Sequence, residues 1–296
     1  MKNQDFQPSS RAYTRTDLAC EAGRLETGRA ERSIPIAEGD VRILESTECD
    51  GRRYVTITTP KLTHLGEHSK ADLAHILADC LKAMAERMLG QAVTSETRVL
   101  VAGFGNPDMT PDAIGPYTVR GLTATRHLRT HDEGLYGALG CCELSAVSPL
   151  VLGQTGIESG EVVRGVVAHV NPHLIVAIDA LAARSCDRLA CTIQLSDGGI
   201  GPGSGVGNHR MSIDQNSMGC PVLALGVPTV VDSSTLVYDA LSQADISEED
   251  ISPKLKEVLE TGRSFVVSPK DSDIITQVTT EVLSRALDMA FGVGEM

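Results

Sequence analysis

Apolar residues alternate with polar ones over residues 41–45 (VRILE) and 53–58 (RYVTIT), with Asp50, Gly51 and Arg52 between the two runs. That two-residue period with a turn signal in the middle predicts a β-hairpin. From Ser69 to Leu89 the period changes. Leu73, Ile76, Leu77, Cys80, Leu81, Met84 and Met88 recur at steps of three and four, and Gly90 comes next, which predicts a helix with one buried stripe and a glycine stop. RVLVAGFGN (98–106) is a short apolar run ending in glycines and predicts a buried strand feeding a tight loop. Asp112 to His127 predicts a further helix. VVRGVVAHV (162–170), LIVAIDA (174–180), LACTIQL (189–195) and CPVLALGVPTVV (220–231) predict buried strands, SFVVSPK (264–270) a late strand, and 272–291 an amphipathic closing helix.

Strands apolar on both faces and alternating with helices predict an α/β fold with a mostly parallel sheet. No repeat or long linker divides the chain, so one domain comes after a polar leader covering about residues 1–30. The total of 296 residues, 42% of them hydrophobic, supports a sizeable core. That core must be aliphatic, because the chain has no Trp, four Phe and five Tyr. Few aromatic platforms and a net charge of −13 argue against direct nucleic-acid binding. No signal peptide or membrane span is predicted. The eight cysteines form no C-x-x-C pair and read as reduced thiols.

Ligands of open α/β sheets collect beyond the C-terminal ends of strands, and three loops fall there. GFGNPDMTPDAIGP (103–116) carries Asp112, which reads as a helix cap or as a functional carboxylate. AIDALAARS (177–185) places Asp179 at a strand end, with Arg184 soon after. SDGGIGPGSGVGNHR (196–210) holds six glycines between 198 and 207. That density implies positive φ or close backbone approach to a ligand, with Gly203, Ser204 and Gly205 as candidate substrate contacts. Ser204 lacks the surroundings of an activated nucleophile. Two Asp side chains in one cleft can share a proton and activate a water against a peptide carbonyl. No metal ligand set is found: His169 and His173 are separated by Pro172, and no cofactor is expected.

The stretches GFGNPDMTPDAIGPYTVRGLTATRHL (103–128), AIDALAARSCDRLACTIQLSDGGIGPGSGVGN (177–208), GCPVLALGVPTVVD (219–232) and FVVSPKDSD (265–273) closely resemble the germination proteases. The resemblance runs from about Arg15 to the C-terminus. It implies a three-layer α/β/α sandwich similar to the hydrogenase maturation proteases. It also implies a homotetrameric zymogen of the spore core, freed of its leader by self-cleavage. Its substrates would be small acid-soluble spore proteins, cut after an acidic residue. In that family's substrate motif, Thr or Ser and an acid precede the cut; an apolar residue, Ala, a free position and a second acid come after it. Thr16-Asp17-Leu18-Ala19-Cys20-Glu21 matches the motif, so cleavage is expected between Asp17 and Leu18. Residues 1–17 would then be a propeptide and 18–296 the peptidase domain. The proposed catalytic carboxylates of the family fall on Asp112 and Asp179, and Arg184 and the Gly-rich loop would bind substrate. A metal-gripping maturation protease and a non-catalytic peptide-binding module are the alternatives. Residues 133–160 read as a flap or a surface excursion.

Overall fold

A computed structural model describes residues 16–22, 25–201, 211–247, 250–261 and 265–293. Among them nine strands form one sheet: β1 (Leu25–Ile36), β2 (Gly39–Glu48), β3 (Arg53–Thr58), β4 (Arg98–Gly103), β5 (Glu143–Val147), β6 (Leu174–Ala183), β7 (Thr192–Ser196), β8 (Val222–Asp232) and β9 (Val266–Val267). The helices are α1 (Ala19–Ala22), α2 (Glu67–Leu89), α3 (Ile114–Gly121), α4 (Arg126–His131), α5 (Glu133–Leu139), α6 (Leu152–Thr155), α7 (Ser159–Val170), α8 (Gln215–Met218), α9 (Ser233–Gln243), α10 (Pro253–Thr261) and α11 (Ser272–Phe291). The strand order is β1-β2-β3-β7-β8-β6-β4-β5, with β9 added to β8.

The α/β fold is present. The sheet itself is mixed, with parallel pairing confined to β5-β4-β6-β8. The hairpin read from residues 41–58 forms with Arg42 opposite Thr58. Its β3 edge then recruits β7 antiparallel, and β7 joins β8 antiparallel. A strand entering from a hairpin can pair antiparallel without a crossover helix, so this N-terminal wing widens the sheet without extending its parallel half. Residues 25–30, read as part of the polar leader, belong to β1, which pairs along β2.

Alternation builds the three layers. On β6, Leu174, Val176 and Ile178 face the cluster formed with α2, α3 and α11, while Ile175 and Ala177 face the cluster under α7 and α8. On β4, Val99 and Val101 take the first side, and Leu100 and Ala102 the second. Strands buried on both faces carry no polar alternation, which is why these runs read as uninterrupted apolar segments.

Two expectations are corrected. VVRGVVAHV lies in α7, not in a strand. Val163 with Val166 and Val167 recurs at helical spacing and packs on the sheet, and Asn171 closes the helix at φ 50°. Packing of one face has outweighed the β preference of the valines. The helix expected over 112–127 is broken. A 3₁₀ turn at Thr110–Asp112 precedes α3, and the chain is extended at Leu122 before α4. Thr125 holds the break: its hydroxyl donates to the Cys142 carbonyl (2.6 Å) and accepts the Leu144 N–H (2.9 Å). Residues 133–160, read as a flap or excursion, supply the edge strand β5 together with α5 and α6.

His173, one of the two histidines weighed as metal ligands, has a structural place. Its ring Nδ1 accepts the Arg98 N–H (3.2 Å), and its own N–H donates to the Arg98 carbonyl (2.8 Å). Burial, and then the neighbouring Arg98 charge, hold its pKa below the ordinary histidine value. A depressed pKa means that the unfolded chain takes up the proton first as pH falls. The contribution of this ring is therefore fully present above about pH 6.5 and is lost as pH drops through the folded value. Replacing His173 by Asn should flatten the pH dependence of thermal stability below that point, as followed by melts at several pH values.

No helix among the described residues is long and apolar enough to cross a membrane.

Candidate active site

β6 outruns β4. Gly103 stands opposite Ile178, and β6 continues to Ala183 with β8 still on its other side. The two-residue alternation puts Asp179 on the same face as Ile175 and Ala177, just past the part of the sheet that α7 covers. Directly across from Asp179 on β8 is Gly226, and across from Gly226 on β7 is Gln194. Cross-strand partners project to one face, so Asp179 and Gln194 rise on either side of a glycine floor. A Cβ on Gly226 would lie 2.4 Å from Leu181 Cδ1, so only glycine leaves room for Leu181 over this floor. The resulting cleft, about 200 Å³, is lined by Asp17, Arg52, Tyr54, Asp179, Gln194 and Ser196, among others. A water needs only roughly 10–15 Å³ by the same measure, so an attacking water fits.

Residues 16–22 occupy the rest of this surface. Asp17 donates its N–H to the Ala182 carbonyl (2.9 Å), and its carboxylate accepts the Ala182 N–H (2.9 Å). The leader thus attaches to polar backbone at the end of β6, in the manner of a peptide added to a sheet. Leu18 is fully buried against Ala183, Leu189 and Val231. Gln194 grips the chain on both sides of it: Nε2 donates to the Asp17 carbonyl (3.2 Å), and Oε1 accepts the Ala19 N–H (2.7 Å).

Glu21 is held by three donors. Its carboxylate accepts the backbone N–H of Arg184 (2.7 Å) and of Ser185 (3.1 Å), and the hydroxyl of Thr16 (2.6 Å). Arg188 Nε lies 3.9 Å away. The Thr16 hydroxyl in turn accepts the Leu18 N–H (3.1 Å). Thr16 and Glu21 therefore bond to each other while flanking the Asp17–Leu18 peptide.

The cleft gathers some of the expected site residues and not others. Asp179 is 6% exposed and lines the cleft beside Asp17; its Oδ1 accepts the Ala180 N–H (3.0 Å). Asp112 does not cap α3, whose N-terminus at Ala113 has no side-chain cap. Its Oδ2 accepts the Asn106 N–H (2.8 Å) and closes the loop after β4. The 3₁₀ turn carrying it packs against β6 and β8, but Asp112 is not among the residues lining the cleft. Arg184 meets the leader through its backbone N–H, and Arg188 is the guanidinium facing Glu21. Gly203, Ser204 and Gly205 lie outside the described residues. Gly199, Ile200 and Gly201, which precede them, lie on the cleft rim, and Ile200 bridges to Ile213. Sequence reasoning missed Gln194 and Gly226. The only signal for Gln194 is a single amide within an apolar strand. Among the described residues, no cluster of three His, Cys, Asp or Glu side chains has a metal-binding arrangement.

Gly105 fixes the Asp112 loop. Its φ is +118°, and a Cβ there would sit 1.9 Å from the Asp112 carbonyl oxygen. Gly105→Ala should cost about 3 kcal/mol through strain and overpacking, seen as a lower melting temperature.

The chain matches the family model described as germination protease over residues 31–247. It is 36% identical over 313 aligned positions to the germination protease of Clostridium perfringens, covering 93% of this chain and 94% of that protein. It is equally identical to that of Caldanaerobacter subterraneus subsp. tengcongensis, over 95% and 94%. With the Oceanobacillus iheyensis germination protease it shares 39% over 248 positions, covering 77% and 66%. Among solved structures, a nickel–iron hydrogenase maturation protease from Thermococcus kodakarensis aligns with a TM-score of 0.32 at 15% identity, over 68% of this chain and 98% of that one. The sequence relationships span nearly the whole chain and include both Asp-bearing loops, so this chain belongs to the germination protease family.

Proposed function

We propose that this chain is the zymogen of a spore-germination endopeptidase that removes its own leader between Asp17 and Leu18. The same cleft would then cut small acid-soluble spore proteins. The observation that carries the reading is the seating of residues 16–22. A segment matching the substrate motif lies along the end of β6, with Asp17 in the same cleft as Asp179. Residues 1–17 are the propeptide in this reading, and residues 18–296 the peptidase, working as a homotetramer in the spore core.

The chemistry is hydrolysis assisted by the Asp179 carboxylate. A water in the cleft attacks the Asp17 carbonyl carbon while an Asp179 carboxylate takes its proton. The tetrahedral intermediate collapses, the C–N bond breaks, and the proton held on Asp179 passes to the Leu18 nitrogen, which leaves as an amine. Asp112 stays in this reading as the other carboxylate proposed for the family, on the neighbouring loop and outside the lining of the cleft. The apolar position after the cut is explained by the Leu18 pocket. The hydroxyl residue before the cut and the acid after it are explained by the Thr16–Glu21 bond.

The test is intact mass during incubation at mildly acidic pH, and then N-terminal sequencing. Loss of the leader with Leu18 as the new first residue supports the reading; an unchanged mass in the wild-type chain overturns it. Asp112→Asn should slow the loss less than Asp179→Asn does, because Asp112 does not line the cleft.

A further inference from the structure

Gln194 is 7% exposed, and both ends of its amide bond to the leader backbone. We infer that Gln194 is a catalytic residue of the cleavage: its Nε2 is the donor that stabilises negative charge on the carbonyl oxygen of the residue before the cut. This rests on the proposed cleavage between Asp17 and Leu18. Of the two peptide groups flanking Leu18, Gln194 takes the carbonyl of one and the N–H of the other. The N–H contact, at 2.7 Å, is already tight and fixes the amide plane. The carbonyl contact, at 3.2 Å, is at the long end for N–H···O. It has room to shorten as the oxygen becomes an oxyanion, which is the property required of a donor that favours the transition state over the ground state.

The position of the side chain supports this use. Gln194 sits on β7, across the Gly226 floor from Asp179. A water activated by Asp179 and a donor from Gln194 thus reach the same peptide from two strands. β7 is paired on both sides, to β3 and β8, so the amide is mounted on rigid backbone and need not reorganise during the reaction. Recognition of backbone alone also makes the device independent of side chains, so one amide serves the leader and any substrate laid in the same direction.

When water adds to the carbonyl carbon, the C=O electron pair moves onto oxygen and the Gln194 N–H bond to it strengthens. When the C–N bond breaks, the pair returns and the contact relaxes. No proton leaves Gln194.

The test is the first-order rate of leader loss in the full chain, by intact mass, for wild type, Gln194→Ala and Gln194→Glu, across pH 4 to 8 (roughly, spanning the ordinary Glu value of about 4.3). Gln194→Ala should slow the loss by about 100-fold or more, the usual effect of removing one such donor. Gln194→Glu preserves shape and the acceptor for Ala19, but its ionised form offers no proton to the carbonyl. Its rate relative to wild type should therefore rise as pH falls and the new carboxyl becomes protonated. A residue with a structural role only would show no such pH-dependent ratio. In the processed enzyme, a peptide of the Thr16–Ala22 sequence should show the Gln194→Ala loss mainly in kcat. If wild type processes at Leu18 and both variants match it, the role of Gln194 is wrong while the cleavage reading stands. If wild type never processes, the cleavage reading itself fails. Thermal melts of the variants identify misfolding. Should Gln194→Ala unfold, the Gln194→Glu ratio decides alone, and a flat ratio overturns the inference.

Discussion

Asp179→Asn is expected to leave the chain at full length under conditions in which the wild type loses its leader. The side chain is nearly buried, lies within β6 one residue past its last pairing with β4, and borders the cleft that holds the Asp17 peptide. Asn keeps the volume and can still accept the Ala180 N–H, so the fold should survive. The substitution removes the capacity to take a proton from water. General base catalysis contributes roughly 10²–10⁴ in rate, so the half-time of processing should lengthen by up to about that factor. Time courses of intact mass, with melts beside them, make the comparison. Processing of Asp179→Asn at the wild-type rate would remove this residue from the mechanism.

Breaking the Glu21 anchor should also slow the loss of the leader strongly. Glu21 receives two backbone N–H bonds and one hydroxyl, with Arg188 nearby, and its side chain is only 8% exposed. A hydrogen bond to a charged group contributes about 1.5–3 kcal/mol. Glu21→Ala removes the acceptor and leaves the Arg184 and Ser185 amides to find water. Losing about 3 kcal/mol of docking would lower the equilibrium constant for seating the leader by roughly 100-fold, and the rate of leader loss falls with the seated fraction. The melting temperature should move little, because the anchor ties the leader and not the sheet. Hydrogen exchange at Leu18 and Ala19 should speed up in the variant. Unchanged exchange there would mean that the Leu18 pocket alone holds the segment. Gln in place of Glu21 should fall between the two, since a neutral carbonyl accepts these donors less strongly than a carboxylate does.

The parts of the molecule legible in the sequence are those in which one side chain does one job. The stripe from Leu73 to Met88 could only be a helix, and Gly90 stops it at φ 68°. Asp179 stands out because a carboxylate at the end of an apolar strand has few uses. The match of residues 16–21 to a cleavage motif is readable only through the family resemblance, because nothing in their composition or spacing marks a cut. The misreadings share a cause, tertiary packing. The valines of α7 favour a strand locally, and only the sheet beneath them makes the helical face worth burying. The mixed sheet is not legible because pairing direction depends on where β3 and β7 meet, not on either segment. Gln194 and the Glu21 anchor are hidden for a different reason. The first is one polar residue in TIQLS, and its partner is backbone. The second is built mainly from the N–H groups of Arg184 and Ser185, which leave no trace in side-chain identity.

A cut after Asp17 would not clear the cleft. It frees the part upstream, but Leu18, Ala19 and Glu21 stay covalently joined to the body, only a few residues ahead of β1. That stub keeps its greasy socket and its carboxylate anchor, and a short tether presents it at an effective concentration of about millimolar. Newly matured enzyme would therefore carry half of its own product as a resident competitor. An incoming substrate would have to displace it, so maturation and full activity would become two events separated by the release of one short tail.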